Sequence, residues 1–366
     1  MNRHRIILQK AALASAIVVA FAFPVYLLAQ EEEAEDTGVD TTLVPRPAVI
    51  APRAASGLIL SLAKAGGGYV AVGQRGGVLL SADGKVWKQV LTPADATLVR
   101  VRFLDDVHGW AVGYDGTILD TSDGGKSWTL AQFDAAWGKP WFDILFLDAS
   151  NGLVAGGNGM LKRTADGGKT WEAVESPVFE DQPNLYNLIK LGDGSLLLTG
   201  ERGFLAHSAD QGLTWKPLKS PYTGSYFGVV PVGANGAVAF GLRGNAFHIA
   251  NVATAPALSE ADLAALRELA ANPEASGQNA NPVSEVAGWK RLASDDTESL
   301  FGGSVSDDGT VLLFGANGRV MKADVAAGVL SRVKLPTNIN MNMGLAAADG
   351  LIVVGTSGVK LLALPN

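Results

Sequence analysis

The stretch that decides the fold is FLDDVHGWAVGYDGTILDTSDGGKSW, residues 103–128. Short apolar segments alternate in it with turn-forming Gly, Asp and Ser residues, which is the pattern of β-strands joined by tight turns. We predict strands over Val99–Leu104, Trp110–Gly113, Thr117–Thr121 and Ser127–Gln132. Four short strands in succession predict one antiparallel sheet in which each strand pairs with the next.

The end of the second of these strands recurs along the chain. A short apolar segment ends in Gly-x-x-Gly seven times, and steps of 40, 43, 44, 41, 74 and 40 residues separate the first glycines. The pairs are Gly73/Gly76, Gly113/Gly116, Gly156/Gly159, Gly200/Gly203, Gly241/Gly244, Gly315/Gly318 and Gly355/Gly358. A period of about 40–50 residues in strand-forming sequence is typical of propeller blades. We therefore predict an all-β protein, a seven-bladed β-propeller; two stacked β-sandwiches, the alternative, do not explain the sustained period.

The single long step predicts an insertion in the fifth unit, between its third and fourth strands, over residues 251–288. Ser259 followed by Asp262 is a capping pattern and predicts a helix over Glu260–Ala270. Two interpretations stay open, namely a helix packed on the edge of a blade and an element that recognises a partner.

A second motif follows the third strand of the first four units. In the second unit it runs from Ser122 to Trp128. It resembles the Asp box, also called the BNR repeat, in which the carboxylate accepts backbone N–H groups, glycine adopts a positive φ and tryptophan packs on the blade. Four such turns are spread around a propeller and do not converge on one pocket, so we interpret them as structural and not as catalytic or cation-binding. The residues are Asp83 and Trp87, Asp123 and Trp128, Asp166 and Trp171, and Asp210 and Trp215.

Composition excludes several classes of function. The chain has no cysteine and only 4 histidines, which are scattered, so we predict no metal site and no cofactor. The formal net charge is -7, which disfavours a nucleic-acid partner because phosphate binding requires a basic surface.

The N-terminus predicts export. Basic residues precede an apolar run from Ala11 to Ala29, a pattern typical of a signal peptide or a membrane anchor. Both alternatives stay open, and both place the rest of the chain across the membrane, in the periplasm or a lumen. We predict a signal peptide or anchor over residues 1–29, an acidic linker over 30–42 and the propeller over 43–366. An uncleaved N-terminal segment would also contact the membrane.

Closure of the predicted ring needs a further strand. The last unit ends at Asn366, after its third strand. We expect Thr42–Ile50 to supply the missing fourth strand, because this would cover the open edge of the last blade. The prolines of this segment are compatible with an outermost strand.

The complete repeat resembles a known family. Residues 103–128 and the Asp boxes are similar to the photosynthesis system II assembly factor family, the Hcf-type BNR-repeat propellers of plastids, cyanobacteria and other bacteria. The resemblance covers most of residues 60–360 and weakens in the last three blades, where Ser331 and Arg332 stand in place of a tryptophan. It implies a non-enzymatic chaperone that binds assembly intermediates of membrane proteins on the lumenal side.

One face of the predicted propeller carries the candidate binding residues. In a four-stranded meander the Gly-x-x-Gly turns and the crossovers between blades share a face, and the Asp boxes lie on the other. Arginine and aromatic residues dominate binding hot spots. For each aromatic residue, packing between blades is the alternative, and Arg100 and Arg102 either extend this surface or point into the central channel. The candidates are Arg75, Arg202, Arg243, Trp137, Trp141, Tyr222, Tyr226 and Phe227.

These observations predict an exported scaffold without catalytic residues that binds a membrane-protein complex or its assembly intermediates. One alternative is an accessory subunit of an envelope transporter. The other is a sialidase-like glycoside hydrolase, because sialidases share the Asp box. That chemistry requires convergent carboxylates and a nucleophile, and none of the 6 tyrosines lies in the sequence context of those enzymes.

Overall fold

The structure, a computed structural model, describes residues 44–264, 284–335 and 337–364. These residues form seven antiparallel sheets in succession, six with four strands and one with three. The predicted seven-bladed β-propeller is therefore confirmed. The predicted signal or anchor over 1–29 and the linker over 30–42 lie outside the described residues.

Each blade is a meander of consecutive strands. Blade one comprises β1 (Ile59–Ala65), β2 (Gly68–Gly73), β3 (Val78–Ser81) and β4 (Lys88–Val90), and blade two β5 (Leu98–Phe103), β6 (Gly109–Gly113), β7 (Ile118–Thr121) and β8 (Thr129–Gln132). Blade three comprises β9 (Trp141–Phe146), β10 (Gly152–Gly156), β11 (Leu161–Thr164) and β12 (Glu172–Ala173), and blade four β13 (Leu185–Lys190), β14 (Leu196–Gly200), β15 (Leu205–Ser208) and β16 (Lys216–Pro217).

The last three blades depart from the regular repeat. Blade five comprises β17 (Tyr226–Val232), β18 (Gly236–Gly241), β19 (Ala246–Ile249) and β20 (Trp289–Arg291), and blade six β21 (Leu300–Val305), β22 (Val311–Gly315), β23 (Val320–Asp324) and β24 (Val329–Arg332). Blade seven has β25 (Met341–Ala347), β26 (Gly350–Gly355) and β27 (Gly358–Leu362). Short 3₁₀ turns lie at Ala54–Ser56, Ala135–Trp137, Pro177–Phe179, Glu201–Gly203, Leu242–Gly244, Val252–Thr254 and Ala316–Gly318.

The first strand of each blade is the innermost one. Each of these strands packs against the first strand of the next blade, and β25 packs against β1, so the seven inner strands surround a central channel. Every inner strand has a β-bulge near its start, where it carries one extra residue opposite the second strand. The extra residues are Leu60, Val99, Phe142, Tyr186, Phe227, Phe301 and Asn342.

The ring closes in a different way from the one expected for Thr42–Ile50. The described part of this segment forms no strand and follows the outer edge of blade one, where the Ala48 N–H donates to the Thr92 carbonyl at 3.0 Å. Gln89 of β4 also donates to the Val49 carbonyl at 3.1 Å, so the segment is bonded to blade one and does not pair with blade seven. Closure rests instead on apolar packing of Ile59 and Leu62 against Ile352. The expectation of a completing N-terminal strand was therefore wrong for residues 44–50.

The insertion leaves blade five between β19 and β20, as predicted. Residues 260–264 are helical, and Ser259 caps them, because its Oγ accepts the Asp262 N–H at 3.2 Å while Asp262 accepts the Ser259 N–H at 2.8 Å. The rest of the predicted helix lies outside the described residues. Across the described ranges, no helix is long and apolar enough to span a membrane.

Candidate partner-binding face

The Gly-x-x-Gly turns and the crossovers share one face, as predicted. In blade one the Gly76 N–H donates to the Ala96 carbonyl of the following crossover at 2.9 Å. The Thr92 hydroxyl of the same crossover donates to the Gly76 carbonyl at 2.8 Å. These hydrogen bonds between crossover and turn therefore fix the position of the turn.

The third residue of these turns has an unusual backbone conformation. In six of the seven blades it is a non-glycine residue with a φ between 50° and 57°. The following glycine also has a positive φ, and the two together make a type I′ turn, which the Gly77 N–H closes by donating to the Gln74 carbonyl at 3.0 Å. The six residues are Arg75, Asp115, Asn158, Arg202, Arg243 and Asn317.

Arginine is an unexpected residue at such a position. The left-handed conformation costs an ordinary side chain about 1 kcal/mol or more, whereas Asn and Asp tolerate it, as they do in blades two, three and six. Arg75, Arg202 and Arg243 are nevertheless all exposed. A strained backbone that carries an exposed cation points to a role in binding, because the fold itself would be better served by asparagine.

The three arginines share a face but do not form one cluster. Arg202 and Arg243 belong to the neighbouring blades four and five, whereas Arg75 belongs to blade one. Carboxylates lie between them: desolvation, with Asp95 nearby, raises the pKa of Asp115 in the blade-two turn. At the third turn position, blades four and five thus carry arginine and blade two carries aspartate, while Glu201 stands beside Arg202 in the blade-four turn.

Three of the predicted aromatic contact residues are part of the core. Trp141, Tyr222 and Tyr226 are fully buried, because each lies at or just before the start of an inner strand and packs between blades. The prediction that they form the binding surface was wrong. Two of them hold the turns instead: the Trp141 indole donates to the Gly116 carbonyl at 3.2 Å, and the Tyr222 hydroxyl donates to the Leu242 carbonyl at 2.9 Å.

The two other aromatic candidates are only half buried. Trp137 tilts against Trp141, with ring centroids 4.4 Å apart. Phe227 is the extra residue of its β-bulge and belongs to a row of rings that crosses blades three to six. Its centroid lies 5.7 Å from that of Tyr186 and 5.8 Å from that of Phe301, and Tyr186 lies 5.1 Å from Phe142. The row is defined by the bulge position, a signal that repeat spacing alone does not reveal.

Arg100 and Arg102 point into the channel and not onto the turn face. Arg102 forms a bidentate pair with Asp143 of blade three, with both N–O distances at 2.7 Å, and also donates to the Leu188 carbonyl of blade four at 2.9 Å. Asp143 further accepts the Leu188 N–H and the Asn187 amide. This network joins three blades around one carboxylate, and sequence analysis did not identify Asp143.

The charges of this network stabilise each other. Burial alone would raise the pKa of Asp143, but Arg102 and Arg100 hold it below its usual value. Asp143 is the one Asp or Glu within the described ranges that is fully buried. Because it stays ionised and accepts several hydrogen bonds, it is not suited to act as a general acid.

The Asp boxes are self-contained turns. In blade two the Asp123 carboxylate accepts the Ser127 N–H at 3.0 Å and its hydroxyl at 2.6 Å, while the Trp128 indole donates to the Gly125 carbonyl at 3.0 Å. From the sequence, the box was expected to begin at Ser122. In the structure its first hydroxyl is that of Thr121, which donates to the Asp123 carboxylate at 2.8 Å.

The remaining Asp boxes repeat these bonds with small differences. Asp83, Asp166 and Asp210 bind the backbone of their own turns. The Trp87 and Trp215 indoles donate to a glycine carbonyl of the same turn, whereas the Trp171 indole N–H has no acceptor among the described residues.

The electrostatics of the boxes agree with a structural role. Bonds from Thr170 and Thr164 lower the pKa of Asp166 to about 2. Desolvation opposes the same effect at Asp123, but bonds from Ser127 and Thr121 lower its pKa to about 2 as well. Over the part of the chain that the structure describes, no three His, Asp or Glu side chains form a group that could hold a metal ion.

Comparison with known proteins identifies the repeat. Residues 79–140 and 131–255 match the sequence model of the photosynthesis system II assembly factor YCF48 family. The photosystem II assembly protein Ycf48 of Thermosynechococcus vestitus is 39% identical over 46 residues, which are 13% of this chain and 13% of that protein. The chloroplastic photosystem II stability/assembly factor HCF136 of Cyanidioschyzon merolae is 38% identical over 68 residues, 16% of either chain.

Structural similarity extends over most of the propeller. A solved structure of YCF48 bound to D1 peptide superposes with a TM-score of 0.61, covering 90% of this chain and 100% of that one, at 18% sequence identity. At this identity the superposition shows the shared fold alone. The sequence matches extend over the Asp-box blades, where the resemblance was expected. Its fold is a seven-bladed β-propeller, and its residues 79–255 are similar to the photosynthesis system II assembly factor YCF48 family.

Proposed function

We propose that this protein is an exported, non-enzymatic scaffold that binds an assembly intermediate of a membrane protein through the face of its Gly-x-x-Gly turns. The observation that carries the proposal is the set of three exposed arginines that occupy strained, positive-φ positions in type I′ turns. The names of the relatives support the kind of partner, since they are photosystem II assembly factors and one of them was solved with a D1 peptide.

The two exposed turn arginines of blades four and five suggest how the partner is recognised. Arg202 and Arg243 project from adjacent blades, and the Arg202 guanidinium already donates to the Asp181 carbonyl at 3.2 Å, which limits its motion. Guanidinium groups held in place lose little conformational entropy on binding. We expect an acidic segment of the partner to bind to Arg202 and Arg243 across blades four and five. Asp115 in the turn of blade two would repel that segment if the partner were turned the other way round.

The proposal is tested by crosslinking in intact cells with a triple variant, Arg75→Asn, Arg202→Asn and Arg243→Asn. Asparagine occupies the same position in blades three and six, so we expect an unchanged or slightly higher melting temperature together with loss of the crosslinked membrane protein. The matched control replaces three exposed lysines of the opposite face, Lys85, Lys126 and Lys169, by asparagine. It removes the same charge and should leave capture intact.

Four results would contradict the proposal. Undiminished capture by the arginine variant would remove this face from the mechanism, and equal loss in the lysine control would reduce the effect to net charge. Capture of only a transporter complex would favour an accessory transporter subunit. Turnover of a glycoside by the purified protein would contradict the non-enzymatic assignment.

A further inference from the structure

The central channel holds a second feature that the turn face does not use. Its volume is about 1130 Å³, slightly above the roughly 300–1,000 Å³ that is usual for ligand pockets. Inner strands from all seven blades line it, and the wall includes Arg100 and Arg102 together with the apolar side chains of Phe301 and Met343.

The two arginines of the channel differ in how their charge is neutralised. Arg102 uses its Nε and Nη2 atoms on both oxygens of Asp143. Asp143 also accepts three hydrogen bonds from Ile144, Leu188 and Asn187. Its acceptor capacity is thereby filled, and little is left for a second arginine.

Arg100 is the second arginine, and its guanidinium lacks a strong acceptor. Only 17% of the side chain is exposed, and its Nε lies 3.4 Å from Asp143 without a hydrogen bond. Its Nη1 is 4.0 Å from the sulfur of Met343, across the channel, and a thioether is a weak acceptor. Two partly buried cations therefore share one carboxylate, and a guanidinium cannot lose its proton to relieve this.

Other ionisable groups along the channel do not compensate Arg100. Lys64 lies 3.9 Å from the exposed Asp307, and Asp308 is bonded to Ser306 and Thr310 of its own turn. Lys322 adds a further positive charge to the wall. Among the described residues, the position beside Arg100 thus combines a cation that shares its one nearby carboxylate, Asp143, with Arg102 and apolar neighbours.

We propose that the channel binds a carboxylate joined to an apolar group, with the carboxylate on the Arg100 guanidinium and the apolar part against Phe301 and Met343. A guanidinium matches a carboxylate in shape and charge and can hold it with two hydrogen bonds. The source is either a free small carboxylate or an acidic side chain of a peptide. This site lies in the channel, so it is independent of the arginines of the turn face.

The proposal is tested by calorimetric titration with benzoate, with benzamide as the uncharged match. We expect saturable binding of benzoate and at least about a tenfold weaker response to benzamide, the usual effect of removing a charge-assisted hydrogen bond. A capped peptide, acetyl-Phe-Glu-Phe-amide, and its Gln counterpart form the second arm. Binding of benzoate alone supports a free ligand, and binding of the Glu peptide alone supports a protein ligand.

The Arg100→Met variant assigns the effect to one side chain. It removes the charge while keeping the length of the side chain, and we expect loss of carboxylate binding with an unchanged or raised melting temperature. The triple asparagine variant of the turn face should bind benzoate as the parent does, which separates failure of this proposal from failure of the proposed function. Retained binding by Arg100→Met would overturn it, as would equal binding of charged and uncharged probes or binding of neither carboxylate. If Arg100→Met does not fold, the charged and uncharged probes on the parent protein decide.

Discussion

Blades one to four and blades five to seven form the same sheet from different chemistry. Each of the first four blades has an Asp box between its third and fourth strands, and the carboxylates and hydroxyls of the box bond to its own turn. Blade five replaces the turn by the insertion, blade six by a short turn at Asp324, and blade seven has no fourth strand among the described residues. The propeller thus tolerates loss of the box, so the repeat stabilises individual turns and is not a condition for closure.

The inner strands show the same division. In the first half, side chains reach the N–H groups of the next blade: Ser61 accepts from Val101 at 3.2 Å, and Asn187 accepts from Val229 at 2.8 Å. In blades five and six, glycine stands at the corresponding position, and at Gly302 it lets the inner strand of blade seven approach directly, whereas blade seven itself has Met343 there. Side-chain hydrogen bonds therefore join blade one to blade two and blade four to blade five, and close backbone packing joins blade six to blade seven. At the closure of the ring, the Asn342 amide of blade seven donates to the Ile59 carbonyl of blade one at 3.0 Å. The positions occupied by glycine are Gly228 and Gly302.

The largest effect is expected from Arg102→Met in the polar half. The change leaves Asp143 buried without its main counter-ion, and removing one partner of such a pair typically costs about 3–5 kcal/mol. Urea unfolding should show this loss in the free energy of unfolding. Arg100→Met is the control and should cost far less. A loss below about 1 kcal/mol for Arg102→Met would show that the network does not hold the blades together.

A smaller effect is expected from Gly302→Ala in the glycine half. A Cβ at this position would lie 2.1 Å from the Asn342 carbonyl of blade seven, so the strands must separate. Overpacking of this kind costs about 1–3 kcal/mol. In the control Gly157→Ala, the nearest atom is 3.4 Å away, and thermal unfolding should be unchanged. Equal stability of both variants would contradict close packing between blades six and seven.

The Asp boxes should make stability depend on pH in the acid range. Asp123 and Asp166 have folded-state pKa values of about 2, below the ordinary value of 3.8, so they stabilise the fold above about pH 4 and lose this contribution as the pH falls towards 2. Replacing both by asparagine should flatten the decline of the urea midpoint between pH 4 and 2. An identical slope in parent and variant would refute the assignment.

The smallest effect is expected for Asp324→Ala in blade six. Its carboxylate accepts the Ala327 N–H at 2.8 Å, a single bond of the kind that contributes about 0.5–1.5 kcal/mol. Asp123→Ala removes several bonds and should lower the melting temperature more. If the two variants lose equal stability, the Asp box offers no advantage over the plain turn.

The fold was predictable because its turns are encoded locally. Gly-x-x-Gly marks the turn after the second strand in all seven blades, and the Asp box marks the next turn in the first four, so blade number and the two faces follow from spacing. The channel network was not predictable from the sequence, because Asp143 bonds to Arg102, which is 41 residues away in the sequence, and to Leu188, which is 45 residues away. Burial of Trp141, Tyr222 and Tyr226 depends on packing between blades, which no local motif reports.

The type I′ turns have a consequence for how such a protein changes its specificity over evolutionary time. Glycines and crossovers hold each turn, and the third residue projects outward with few obligations to the rest of the molecule. Exchanging Arg, Asp or Asn at this position changes the charges on the turn face and leaves the seven blades unchanged. A duplicated copy of the gene could therefore acquire a new binding partner by substitutions at these six turn residues alone.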